Sequence, residues 1–103
     1  MDHDLCKLNL VFPVTAEDQI LDFLLDSRPA LPGFTSLRVE GHGAGFENAS
    51  PREMVRGRIE RRLVFIVLDR ARLESLLAEL LERIAVPNLA YWVEPVEQFG
   101  QFK

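Results

Sequence analysis

The chain has 103 residues, of which 48% are hydrophobic and 27% are charged, and its formal net charge is −4. This balance is typical of one globular domain spanning residues 1–103 and excludes an intrinsically disordered chain. The acidic excess argues against nucleic acid as a partner, because phosphate binding needs a basic surface.

Three features predict a cytoplasmic protein. No run of about 20 apolar residues is present, so we expect no direct membrane insertion. The first residues, 1–4, are acidic and polar and differ from the basic and apolar segments of a secretory signal. The single cysteine, Cys6, fits a reducing compartment, and we expect it to be a small buried hydrophobe rather than a soft ligand.

The first half of the chain predicts a strand, a helix and a second strand. Apolar and polar residues alternate over 5–14, with Pro13 near the strand end. Thr15 is the expected N-cap of the helix. The helix is expected to end at about Ser27, because two prolines and a glycine follow that residue. Strand-forming residues over 34–40 predict the second strand.

The second half predicts the same order again. Residues 58–68 form the third strand, whose last six residues are apolar on both faces, as in a central strand. Asp69 is the expected cap of a second helix with leucines at three- and four-residue spacing. Residues 89–96 form the last strand, and Pro95 favours an edge position.

The predicted fold class is therefore α+β, with a ferredoxin-like β-α-β-β-α-β order. Two such units give a four-stranded antiparallel sheet with both helices on one face. The other apolar face of the third strand then lacks a cover within the chain. Another subunit is the natural cover, so the pattern predicts an oligomer.

Residues 33–43, Gly-Phe-Thr-Ser-Leu-Arg-Val-Glu-Gly-His-Gly, resemble the end of the second strand in PII signalling proteins. Residues 61–74 and 93–97 match that family in the same order. The chain is similar to a short, uncharacterised PII-like family found beside heavy-metal efflux systems, and in plan to the CutA divalent-cation tolerance proteins. The resemblance implies a homotrimer, a functional loop at about 42–56, and a membrane efflux transporter or other regulatory target as partner.

A divalent transition metal, Cu, Zn, Ni or Co, is the expected ligand. His42 lies between two glycines, where an imidazole is accessible to a metal; the alternative is a histidine that caps the strand end or bonds a neighbouring subunit. Glu94 follows Tyr91 and Trp92 and would complete such a site, although aromatic residues here also fit a core and a subunit interface. His3 and a free amino terminus would form a square-planar set for Cu or Ni.

An adenine nucleotide in the inter-subunit cleft is the alternative ligand. Gly41, Gly43, Arg56 and Arg58 would then hold its phosphates. Where the resemblance implies two arginines after the last strand, the chain has glutamine and lysine, which favours a metal over a nucleotide. The arginine-rich segment 52–62 is expected to be a solvated loop and strand edge, or else a surface for anions or an acidic partner.

The sequence predicts a binding protein rather than an enzyme. It contains neither a nucleophile with a plausible base nor paired carboxylates in an apolar setting. The leading hypothesis is a PII-like regulatory or metal-binding protein in transition-metal homeostasis or efflux regulation. A nucleotide-sensing protein and a structural interaction module without ligand remain the alternatives.

Overall fold

The computed structural model describes residues 4–42 and 59–102. Its secondary structure has the predicted β-α-β-β-α-β order, and the predicted element boundaries are confirmed to within about two residues. The elements are β1 (Leu5–Pro13), a 3-10 turn (Val14–Ala16), α1 (Glu17–Asp26), β2 (Phe34–Gly41), β3 (Ile59–Asp69), α2 (Arg70–Arg83) and β4 (Ala90–Pro95).

The four strands form one antiparallel sheet in the order β2-β3-β1-β4. The third strand is central, as its apolar faces predict, and β4 lies at an edge, as Pro95 predicts. Leu8 of β1 pairs with Ile66 of β3 on one side and Val93 of β4 on the other. This register decides which side chains share a face.

One face of the sheet is covered by both helices, which confirms the α+β layering. Leu8, Leu10 and Phe12 of β1 alternate along this face and are fully buried. They pack in one apolar core with residues of both helices and of β3, namely Ile20, Leu24, Val64, Ile66, Leu68, Leu73, Leu76 and Leu80. Each such side chain stabilises the fold by about 1.5–3 kcal/mol.

Cys6 belongs to this covered face, so its interpretation as a small buried hydrophobe is confirmed. The side chain is fully buried, and its Sγ donates to the Leu68 carbonyl oxygen at 3.5 Å. Burial raises the pKa of the thiol, while the nearby charge of Arg70 opposes the shift. The neutral thiol is therefore the form that the folded chain favours.

The two helices begin differently. The Asp69 carboxylate accepts a hydrogen bond from the Arg72 backbone N–H at 2.9 Å, which confirms the predicted N-cap of α2. The predicted cap of α1 is wrong: Thr15 lies inside the 3-10 turn, and the N-cap position is Ala16, without a side-chain cap. In the described part of the chain, neither helix is long and apolar enough to cross a membrane.

Candidate functional site

The second face of the sheet carries no helix, and we call it the open face. Its residues alternate with the core residues, because successive side chains on a strand point to opposite sides. By register, the open face comprises Lys7, Asn9 and Val11 of β1, Thr35, Leu37 and Val39 of β2, Arg61, Leu63, Phe65 and Val67 of β3, and Trp92 and Glu94 of β4. Leu37 is 40% exposed and Trp92 is 44% exposed, so large apolar groups face solvent here.

A polar cluster lies on the open face where β1 meets β4. Asn9 pairs with Trp92 in the register, and Glu94 is the next residue on the same face of β4. The Glu94 Oε2 atom accepts from the Asn9 Nδ2–H at 2.9 Å and from the Trp92 Nε1–H at 2.8 Å. These two hydrogen bonds fix the carboxylate in one orientation.

Asn9 is the buried member of this cluster, with only 2% of its surface exposed. Burying an amide costs free energy unless it is hydrogen-bonded, and here the Glu94 carboxylate supplies the partner. Sequence reasoning missed the role of Asn9. The available signal was an amide side chain in the middle of a strand, flanked by leucines and on the face opposite the core.

A second charged residue, Lys7, lies next to this cluster. Lys7 is directly opposite Glu94 in the β1–β4 register and directly opposite Val67 in the β1–β3 register. Its ammonium lies over the ring of Phe65, 4.6 Å from the centroid. The cation is thus directed toward β3, whereas the carboxylate of Glu94 is directed along β4 toward Trp92.

Two of the five arginines in the arginine-rich segment are described, and neither is a simple solvated residue. Arg61 is 2% exposed, and its Nη1 donates to the Asn88 carbonyl oxygen at 3.3 Å. Asn88 has a left-handed backbone with φ of 63°, which is uncommon for a residue other than glycine. Arg62 lies on the covered face and pairs with the Glu17 carboxylate at 2.9 Å. A solvated strand edge is therefore a wrong interpretation for Arg61.

His42 follows the end of β2 at a corner of the sheet. Its side chain is 62% exposed, and Nε2 lies 4.0 Å from Oε1 of Glu40. Gly41, the preceding residue, pairs with Ile59 of β3, so the strand pair closes at this corner. The imidazole and carboxylate are two potential metal ligands on the same strand end.

The other predicted ligand, Glu94, lies at the diagonally opposite corner. The row of Gly41 and Ile59 is roughly 26 Å along the strands from the row of Lys7 and Val67, and β2 and β4 are three strand spacings apart, so His42 and Glu94 are separated by roughly 30 Å. One chain does not bring these two residues together. Across residues 4–42 and 59–102, no group of three His, Cys, Asp or Glu side chains is arranged to hold a metal ion.

Several predicted site residues lie outside the described residues. They are His3, Gly43, Arg56 and Arg58, together with nearly all of the predicted functional loop at 42–56. Their roles stay predictions.

The chain resembles two solved structures over its whole length. A DUF3240 family protein from Shewanella baltica OS155 is 21% identical, with a TM-score of 0.73, and the alignment covers 97% of this chain and 98% of that chain. A functionally unknown protein from Pediococcus pentosaceus ATCC 25745 is 11% identical, with a TM-score of 0.63 and coverage of 97% and 99%. At these identities, the likeness shows a shared fold.

The sequence itself matches one family model. No curated protein matches the chain. Residues 2–103 match the model of DUF3240, described as a protein of unknown function. Because this match spans nearly every residue, the chain belongs to the DUF3240 family.

Proposed function

We propose that this chain is a PII-like regulatory subunit, without enzymatic activity, that assembles as a homotrimer through its open face. The observation that carries the proposal is the pair of central strands, β1 and β3, whose second face has no cover within the described chain. Leu63, Phe65 and Val67 of β3 lie on this face and are only half-buried. Central strands with two apolar faces are normally covered on both.

The size of the open face suits an interface. Nine residues of β1 span about 30 Å, and four strands span about 14 Å between their outer axes. A surface of that size, part of it apolar, is comparable to the largest apolar patches on monomeric proteins, and such patches are often functional. The open face predicts an oligomer, and the number of three subunits is inferred from the resemblance to PII proteins.

The regulatory part of the proposal concerns the His42 corner. His42 and Glu40 offer two ligands for a divalent transition metal at the point where the chain enters the segment before β3. A complete site needs further ligands, which a neighbouring subunit of the trimer would supply. Metal occupancy would then alter this segment and its contact with a regulatory target, such as an efflux transporter.

Assembly is tested by sedimentation velocity and light scattering over a range of protein concentrations. We expect a particle of three chains of 11.8 kDa each. Leu37→Asp places a charge on the open face and should shift the particle toward monomer. Leu81→Asp makes the same change on the exposed side of α2 and should leave assembly intact. A wild-type chain that stays monomeric at all concentrations contradicts the proposal.

Metal binding is tested by calorimetric titration with Cu, Zn, Ni and Co. We expect binding of at least one metal that His42→Ala weakens at least tenfold. His3→Ala is titrated in parallel, because His3 is itself a predicted ligand for Cu and Ni, and heat that His3→Ala removes is not assigned to the His42 corner. An unchanged affinity in His42→Ala, or no heat above background for any of the four metals, refutes the metal part of the proposal.

A further inference from the structure

We propose that the open face binds a second copy of this chain head to tail, with Lys7 of one subunit paired with Glu94 of the next. This inference rests on the proposed assembly and names the charged contact between its subunits. The evidence is the placement of the two charges on the open face.

Lys7 and Glu94 are directly opposite in the register of β1 and β4. Opposite charges in this position normally attract and form a cross-strand pair. Among the described residues, however, the ion pairs within 4.0 Å do not include this one. Each charge is instead held by other groups of its own chain.

The Glu94 carboxylate is held on its β4 side. Both of its hydrogen bonds, from Asn9 and from Trp92, fall on Oε2. A carboxylate has about four lone-pair positions. Within residues 4–42 and 59–102, Oε1 accepts no hydrogen bond. The site therefore suits an ammonium or guanidinium group from outside the chain.

The Lys7 ammonium is held on the β3 side. It lies over the Phe65 ring, 4.6 Å from the centroid, and among the described residues its three N–H donors have no hydrogen-bond acceptor. The side chain is only half-buried. A carboxylate brought over Phe65 by a neighbouring subunit would complete this contact with an ion pair.

The open face therefore has a positive side toward β3 and a negative side toward β4. Two copies attract each other when the positive side of one meets the negative side of the other, and they repel each other when two sides of the same charge meet. A two-fold dimer would also pair each Lys7 with the other copy's Glu94, so the direction of the contact comes from the proposed trimer, in which each contact is heterologous and each subunit gives Lys7 to one neighbour and Glu94 to the other. Heterologous contacts that close give rings, and a ring of three is compatible with the proposed trimer.

The test is a charge reversal measured by sedimentation equilibrium. Lys7→Glu and Glu94→Lys each place two like charges at the proposed contact between subunits. We expect each variant to raise the dissociation constant of the oligomer at least tenfold. The double variant restores opposite charges, and we expect its dissociation constant to return to within about threefold of wild type. An equimolar mixture of the two single variants should also associate more tightly than either variant alone. Each chain in the mixture keeps its own like pair in the β1–β4 register, so only a contact between chains explains that gain, and no gain overturns the contact.

Two controls make the same charge changes elsewhere. Arg70→Glu alters the exposed first residue of α2, and Glu97→Lys alters an exposed residue beyond β4. Neither should change assembly. Glu94→Gln keeps an oxygen that accepts from Asn9 and Trp92, so it removes the charge while preserving the cluster. It should weaken assembly without lowering the melting temperature measured at a concentration where the chains are monomeric.

The outcomes separate this inference from the proposed function. Single variants that assemble like the controls, or a double variant no better than the weaker single one, overturn the Lys7–Glu94 contact while leaving assembly through the open face in place. A wild-type chain that is monomeric overturns both.

Discussion

The two faces of the sheet use the same strands for different purposes. On the covered face, Leu8 and Leu10 are fully buried under the helices. On the open face, the intervening Asn9 is buried as well, but it lies opposite Trp92 and donates a hydrogen bond to the Glu94 carboxylate. The covered face is stabilised by apolar packing, whereas the open face contains polar groups with fixed directions.

The difference shows how one strand can combine apolar packing on one side with directed polar contacts on the other. Apolar packing is non-directional and stabilises the fold over a wide range of partners. Hydrogen-bonded charges contribute less to stability but discriminate strongly between correct and incorrect neighbours. The comparison therefore predicts large stability losses from changes on the covered face and smaller, more specific losses on the open face.

The largest expected effect is on the free energy of unfolding, and one leucine from each face provides the comparison. Leu8→Ala leaves a cavity under the helices and should lower the free energy of unfolding by about 2–5 kcal/mol. Leu37→Ala trims a half-exposed side chain and should lower it by less than about 1.5 kcal/mol under conditions in which the chain is monomeric. Chemical denaturation measures both, and equal losses would break the comparison.

A smaller effect is expected in the polar cluster. Asn9→Asp preserves the shape of the side chain but places a second carboxylate against Glu94, and should cost about 2 kcal/mol at neutral pH. The loss should shrink at about pH 4, where carboxylic acids take up protons. Combining Asn9→Asp with Glu94→Gln should recover most of the loss. A double variant as unstable as the single one would show that repulsion is not the cause.

The helical layer of the covered face offers a matched pair of predicted caps. Asp69→Ala removes the hydrogen bond to the Arg72 N–H and should cost about 1 kcal/mol. Thr15→Ala changes an exposed residue that caps no helix and should cost less than about 0.5 kcal/mol. Thermal unfolding distinguishes the two. A similar loss in Thr15→Ala would show a role for its hydroxyl that the fold does not explain.

The smallest effect concerns the buried thiol. The pKa of Cys6 is raised above its ordinary value of 9.0, so the unfolded chain loses this proton at a lower pH than the folded chain does. The thiol's contribution to stability is therefore complete below pH 9 and is lost as the pH rises through the folded-state pKa. Cys6→Ala should show a shallower loss of stability above pH 9 than wild type. Parallel curves would contradict this prediction.

The fold was predictable because each element has a local signal. Alternation identified β1, the doubly apolar run identified β3 as central, and leucine spacing identified α2. The cap of α1 was not predictable, because nothing in the sequence around Thr15 indicates that a 3-10 turn precedes the helix. A cap depends on backbone geometry at one residue, which periodicity does not report.

The candidate site was less predictable, because it depends on register. The sequence singled out Glu94 and the neighbouring Trp92, but it could not show that Asn9 lies beside them, some eighty residues away in the chain. It also grouped His42 with Glu94, whereas the sheet separates them by roughly 30 Å. Both residues are potential metal ligands, which suggested one site, but the order of the strands in the sheet places them far apart.

The pairing of Gly41 with Ile59 has a consequence for how this family can vary. The two ends of the segment between β2 and β3 are fixed side by side by the strand ladder, whatever lies between them. Each doubling of the length of such a segment costs only about 0.6 kcal/mol in closure entropy. Insertions and deletions there can therefore accumulate almost neutrally, so that relatives can keep the same scaffold while the length of this segment changes.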